Sequence, residues 1–279
     1  AFLLPFAKYF RQKGWKVDGL AAGISEIAEC KEAYDNVFDF PFNRKPTELL
    51  SSLLGLRKLR RLVVRENYDV VHVHTPIAAF LTRFALKSLP HAVRPKIVYT
   101  AHGFHFYKGA NFFQWGYLFG EKLASFWSDF LIVINQEDFD AARLFKLAPK
   151  IMYMPGIGVD LSIYKPSSNE IKERLRRELE ISRENKCILM VAEFIARKRH
   201  IDLIEAIRYL GDENIKILFA GQGPLLAKLK AYVENLGLGD QFRFLGFRND
   251  ISHLMSISHL NVLPSLHEGL PSMTTVFTN

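Results

Sequence analysis

Short runs of β-branched and aliphatic residues alternate with longer segments of helical spacing along almost the whole chain. This is the pattern of a mostly parallel sheet whose strands are joined by crossover helices. Strands are predicted at 16–21, 36–40, 69–74, 96–101, 130–134 and 150–154, with helices at 3–12, 46–66, 77–88, 113–128 and 138–146. The segment from Pro155-Gly156-Ile157-Gly158-Val159-Asp160 to Lys165-Pro166 gathers turn formers and reads as a linker. Beyond it the alternation restarts. A charged helix at 169–180 precedes strands at 187–192, 215–220, 241–245 and 260–263, with helices at 200–210, 225–236 and 251–258. The expectation is an α/β chain of two Rossmann-like domains, 1–160 and 161–279, joined by a hinge and without an internal repeat.

Composition narrows the class without choosing a function. The chain has 279 residues, 49% hydrophobic and 24% charged, enough for two packed cores and unlike a disordered or disulfide-stapled chain. Thirty-seven Lys and Arg against 29 Asp and Glu leave +8, which favours anionic partners such as phosphates, nucleic acid or a membrane surface. The two cysteines, Cys30 and Cys187, are far apart and form no Cys-x-x-Cys pair, which points to a reducing cytosol. The run at 130–134 is among the longest uninterrupted apolar stretches, far below the roughly 18 residues of a membrane span. The start, Ala1-Phe2-Leu3-Leu4-Pro5, has no Met and no signal-peptide layout, and reads as cut at its front.

In open parallel sheets ligands gather beyond the carboxyl ends of the strands, and four such places carry candidate chemistry. At Thr100-Ala101-His102-Gly103, His102 ends a strand and Gly103 permits a sharp turn that leaves the imidazole facing a crevice, as an acid, a base or a donor to phosphate. An isolated histidine is more often a hydrogen-bonded surface residue; the strand-end position shifts that balance. His72 and His74, with His102 and His105, could assemble a metal site, but no carboxylate accompanies them and backbone caps explain them as well. At Glu193-Phe194-Ile195-Ala196-Arg197-Lys198-Arg199-His200, three cations at a helix start concentrate positive potential where a diphosphate could dock. Gly221-Gln222-Gly223-Pro224 allows close approach of backbone N–H groups to a ligand, and a plain tight turn explains it equally well. Glu268-Gly269-Leu270-Pro271 offers a carboxylate for sugar hydroxyls and backbone donors for an anion. Asp138-Phe139-Asp140 opens a helix, and the acidic cluster reads as helix capping.

These pieces occur in one order with Asp69-Val70-Val71-His72-Val73-His74-Thr75-Pro76, Pro155–Asp160 and Phe244-Leu245-Gly246-Phe247-Arg248. The ordered set resembles the retaining family 4 glycosyltransferases, in the branch that builds capsular and exopolysaccharide repeat units. The resemblance covers essentially the whole chain. It implies two Rossmann-like domains facing across a cleft, a GT-B arrangement, with a nucleotide-diphosphate sugar held by the second domain and a saccharide or lipid-linked acceptor by the first. It further implies that Lys198, helped by Arg197, neutralises the donor diphosphate and that His102 lies near the transferred sugar. Phe247 and Arg248 would flank the base, Gly221 and Gly223 the donor, and Glu268 with the backbone of Gly269 and Leu270 the sugar hydroxyls. No metal or other cofactor is expected, because Lys and helix termini can carry the leaving-group charge. Nucleic acid is not an expected partner.

Against the family pattern, Val276 stands where a second glutamate usually grips the ribose, and Ala192-Glu193 stands where Gly-Arg is usual. Ala1 falls in the helix after the family's first strand, so that central strand and its glycine loop are not in the chain, and the tail after Ser272 departs from the family. Two other functions are compatible with this plan: a sugar-nucleotide epimerase, and an inactive remnant that retains partial nucleotide binding. The stretch 44–65 is basic with an apolar stripe, so it can either rest on anionic lipid at the inner membrane face or pack its stripe on the sheet. The aromatic helix at 112–127 reads first as core and second as a greasy acceptor surface.

Overall fold

The computed structural model describes residues 3–40, 49–104, 106, 112–156, 158–162, 164–266 and 268, and of 49–54 and 112–114 the backbone only. It divides into two compact units, 1–157 and 158–279.

In the first unit α1 (Leu4–Gln12) leads to β1 (Gly19–Ala21), α2 (Ala28–Ala33) and β2 (Val37–Asp39), and β1 and β2 pair in parallel. Six residues are too few to show a helical period, and α2 has no counterpart among the predicted elements. Then α3 (Leu49–Glu66), β3 (Val70–Val73), α4 (Pro76–Leu86), β4 (Lys96–Ala101), α5 (Phe112–Ser125), β5 (Phe130–Val133), α6 (Gln136–Phe145) and β6 (Lys150–Tyr153) alternate. Their strands form a parallel sheet in the order β3-β4-β5-β6. The two sheets share no ladder among the described residues. They are tied where the Tyr68 hydroxyl, just before β3, donates to Asp18, just before β1, at 2.5 Å. They also lean on one core that includes Phe40, Leu59, Val63, Leu86 and Ile97.

The second unit runs α7 (Asn169–Glu178), β7 (Lys186–Val191), α8 (His200–Leu210), β8 (Ile215–Ala220), α9 (Leu226–Asn235), β9 (Phe242–Gly246), α10 (Ile251–Ile257) and β10 (Leu260–Asn261). Its sheet is parallel in the order β10-β7-β8-β9. Alternate strand residues enter opposite layers. Met190, Ile217 and Phe219 pack with Ile204 and Ile207 of α8 and Val233 of α9, while Cys187, Leu189 and Leu218 pack with Leu175 of α7 and Leu254 of α10.

Two surface readings are decided by the fold. The apolar stripe of α3 (Leu56, Leu59, Leu62 and Val63) is buried, leaving Arg57, Lys58, Arg61 and Arg65 outside; residues 44–48 of the basic stretch lie outside the described residues. The aromatic helix is not mainly core. Among its described side chains the buried ones are Glu121, Ala124 and Ser125, while Trp115, Phe119 and Leu123, and Phe126 just beyond the helix, are exposed. In a segment apolar all round, spacing does not tell which side faces the sheet.

The unexpected core feature is a charge. Arg83 of α4 is 1% exposed, donates to Glu121 Oε2 at 2.9 Å and to the Ala79 carbonyl at 3.0 Å, and lies over the Tyr99 ring at 4.4 Å. Burial raises the Glu121 carboxyl pKa against the opposing pull of Arg83. Removing one partner strands the other in the core. Arg83→Met is therefore expected to cost about 3–5 kcal/mol in urea unfolding, and Arg83→Met with Glu121→Leu to recover most of it.

Candidate functional site

In the second unit the loops after β7, β8, β9 and β10 emerge on one rim, because all four strands are parallel. After β7 the chain crosses Glu193-Phe194-Ile195, forms a 3₁₀ turn at Ala196–Lys198, and enters α8 through Arg199. Arg199 has φ 55°, a left-handed conformation unusual for a side-chain-bearing residue, and its guanidinium bonds both oxygens of Asp202 at 2.8 and 2.6 Å. No side chain caps α8 or α9; the Asp202 amide in the first turn of α8 bonds the Arg199 carbonyl at 3.0 Å and the Leu226 amide opening α9 bonds the Gly223 carbonyl at 3.2 Å, and a helix start without a side-chain cap favours an anion.

Lys198 donates to Glu268, seventy positions later in sequence and carried on the loop that follows β10. β10 is the neighbour of β7 in the sheet, and the Leu266 amide donates to the Arg197 carbonyl at 3.0 Å, stitching the two loops together. Burial works to raise the Glu268 pKa, but the hydrogen bond from Lys198 and the charges of Lys198 and Arg197 prevail and hold it below the usual carboxylate value. The pair is mostly covered, with side-chain exposures of 14% and 23%.

The glycines after β8 have a structural reason that the motif alone left open. A Cβ on Gly221 would stand 2.0 Å from the Ala192 carbonyl oxygen, and one on Gly223 would stand 2.7 Å from the Phe194 amide nitrogen. Both have φ near +150°. Their bareness lets the β8 loop pack on the β7 loop, with Phe194 N–H bonded to the Gln222 carbonyl and Leu225 N–H to the Phe194 carbonyl. After β9, Phe247 is 68% exposed, whereas Arg248 is held by both oxygens of Asp250, at 2.7 and 2.6 Å, and by Glu178. Gly269, Leu270 and Val276 lie outside the described residues.

In the first unit three imidazoles gather where β3 and β4 end. His74 Nδ1 is 3.2 Å from His102 Nε2, the His72 and His74 ring centroids are 4.2 Å apart with the planes tilted by 38°, and His72 Nε2 meets Thr100 Oγ1 at 2.8 Å. His105 lies outside the described residues, and among the described residues no His, Cys, Asp or Glu group has a metal-holding arrangement. Burial, and then the neighbouring imidazoles, push His74 down to about 3. His72 is pushed to about 4 by lost solvation and then by His102. Lost solvation also lowers His102.

Asp138 does more than stabilise the first turn of α6. It is 2% exposed; its amide is capped by Asn135 Oδ1 at 2.7 Å, and its carboxylate accepts from the Phe104 amide at 3.0 Å and from Asn135 Nδ2 at 2.9 Å. Phe104 is two residues after His102, so Asp138 anchors the turn that presents that imidazole. Nothing in the sequence marks this contact, which spans 34 positions.

The architecture is that of the GT-B glycosyltransferases, two Rossmann-like units built on parallel sheets. It superimposes with a TM-score of 0.74 on HepE of Anabaena, solved in complex with UDP and glucose, at 18% identity over 99% of this chain and 73% of that one. Residues 2–162 match the family described as Glycosyltransferase Family 4 and 171–275 that described as Glycosyl transferases group 1. The chain is 33% identical over 97% of its length to EpsD of Bacillus subtilis, named as a glycosyltransferase, and spans 70% of that protein. It is 30% identical to the Escherichia coli UDP-Gal:alpha-D-GlcNAc-diphosphoundecaprenol alpha-1,3-galactosyltransferase over 80% of its own length and 58% of the relative's. The chain therefore belongs to glycosyltransferase family 4.

Two measurements check the site geometry. Asp138→Ala removes the acceptor of a buried amide and is expected to cost about 1–3 kcal/mol and to speed hydrogen exchange at Phe104. The second concerns acid. An imidazole in the unfolded chain takes a proton near pH 6.5, whereas folded His74 and His200 hold out to about 3 and about 4. Their contribution is thus full above pH 6.5 and falls as pH drops towards 4, by at most about 1.4 kcal/mol per pH unit each. His200 is 2% exposed with both ring nitrogens unpartnered. His200→Phe should flatten the loss of urea stability between pH 7 and 5 and raise the midpoint at pH 5.

Proposed function

We propose that this chain transfers a sugar, with retention, from a nucleoside-diphosphate sugar to a saccharide or lipid-linked saccharide acceptor in capsule or exopolysaccharide synthesis. The observation that carries the reading is Lys198 held by Glu268 beside the uncapped start of α8, in a chain of this family. Breaking a glycosyl–phosphate bond builds negative charge on the departing diphosphate and positive charge on the ring, so fixed positive groups at the diphosphate lower the barrier most. Lys198 and the α8 amide dipoles supply them without a metal, with Arg197 adding to the field. Glu268 keeps the ammonium placed before the donor arrives, then, with the backbone of Gly269 and Leu270, fixes the sugar hydroxyls. Gly221 and Gly223 keep the β8 loop low enough for the donor, Phe247 offers a free face to the base, and Arg248 borders it. His102, steadied by His74 and by the Asp138 anchor, serves near the transferred sugar. The name of the Escherichia coli relative, a galactosyltransferase acting on a GlcNAc-diphosphoundecaprenol, supports a lipid-linked acceptor, and such an acceptor would put the work of this chain at the inner face of the membrane. No helix among the described residues is long and apolar enough to cross it.

The test is transfer to a polyprenyl-diphosphate saccharide from a panel of nucleotide sugars. Lys198→Ala is expected to lower kcat by about 100-fold or more with the melting temperature little changed. Conversion of a sugar nucleotide with no acceptor present would instead mark an epimerase. Absence of both turnover and thermal stabilisation by any nucleotide sugar would mark an inactive remnant.

A further inference from the structure

The exposed face of α5 does not belong to the site described above. Trp115, Phe119 and Leu123 follow one another at four-residue spacing, and Phe126 continues the stripe seven residues after Phe119. Phe119 and Phe126 are 74% and 78% exposed, and Trp115 and Leu123 are 40% each. The patch extends on both sides. Lys122 donates to the Phe145 carbonyl at 2.5 Å, bringing up the end of α6 with Leu144, itself 74% exposed. On the other side the half-exposed Phe84 of α4 packs edge-on against Trp127, with Lys87 over both rings at 4.2 and 4.8 Å. A run of large apolar side chains this exposed marks a contact surface.

The charges around it choose the partner. Lys87, Lys122, Arg143 and Lys146 rim the patch and are exposed. Among the described acids of the same elements, Glu121 is buried against Arg83, Asp138 is buried at the His102 turn and Asp129 is engaged by Arg94 and Lys96, while Glu137 and Asp140 in the first half of α6 are exposed, Asp140 accepting from Gln136 at 2.9 Å. A second copy of this face would bring Lys87, Lys122, Arg143 and Lys146 against their own counterparts, with Glu137 and Asp140 the exposed carboxylates among the described residues of these elements to answer them. A bilayer interface takes the aromatic stripe into its acyl boundary and offers anionic headgroups to the rim. We infer that α5, with the end of α6 and the Phe84–Trp127 corner, docks this chain flat on an anionic lipid surface. This moves insertion away from 44–65, whose described apolar stripe is buried; the exposed cations of α3 can add attraction only at long range.

Vesicle co-sedimentation of the full chain tests this without donor or acceptor, so its failure leaves the transferase reading standing. Binding is expected to vesicles containing roughly one third phosphatidylglycerol and to be weak to pure phosphatidylcholine. Phe119→Ser with Phe126→Ser should weaken binding about tenfold or more, and Lys122→Glu with Lys146→Glu should do likewise. Arg57→Glu with Lys58→Glu should change it by less than about threefold. Circular dichroism and melting confirm that each variant is folded. The inference is overturned if the chain ignores anionic vesicles, if the serine variant binds like the parent, or if the α3 variant is the one that releases it. It is equally overturned if the parent is a dimer that Phe119→Ser splits, which would assign the face to a second copy.

Discussion

The second unit depends on the contact of two strand-end loops that share space no side chain can enter. The backbone of Ala192 and Phe194 fills the positions that Cβ atoms on Gly221 and Gly223 would take, and the loops exchange hydrogen bonds across that contact. A close-packed backbone contact has few ways to deform. The turn that follows, with Lys198 at its end and the uncapped start of α8 beyond it, is thereby held at one height on the rim. The glycines are a condition for the positive site whether or not they touch a ligand.

Charge is handled in opposite ways in the two units. Arg83 and Glu121 are sealed in the core of the first, where the pair joins α4 to α5 and does no chemistry. Lys198 and Glu268 are paired at the rim of the second, partly covered but open to a competitor. In the proposed transferase a diphosphate would replace the carboxylate as the partner of that ammonium, and the freed carboxylate would accept from sugar hydroxyls. A bond that holds a cation ready and yields to a stronger anion suits a site that must bind and release a charged donor.

The surface divides the same way. α3 and α5 both carry apolar residues at helical spacing, yet among the described side chains α3 buries its stripe under the first unit's sheets while α5 turns Glu121, Ala124 and Ser125 inward and leaves Trp115, Tyr117 and Phe119 exposed. Ala124 and Ser125 can approach α4 closely, and Glu121 must, because Arg83 is waiting there. The buried ion pair thus sets the rotation of α5 and with it the exposed stripe.

Alternation of apolar runs and helical spacing was enough to place the strands of both units within a few residues, because a parallel strand covered on both faces must be apolar throughout its length. It also singled out His102, Lys198 and Glu268, since residues after the strands of such sheets stand where ligands gather. What the linear order could not contain were contacts made by packing. The meeting of Lys198 with Glu268 follows from β10 lying beside β7, and the hold of Asp138 on the His102 turn follows from α6 starting next to the end of β4. Likewise, which side of an all-apolar helix faces inward was decided by Arg83 on another element. Periodicity reports that a residue has a face; only the neighbours brought by the tertiary fold determine what that face meets.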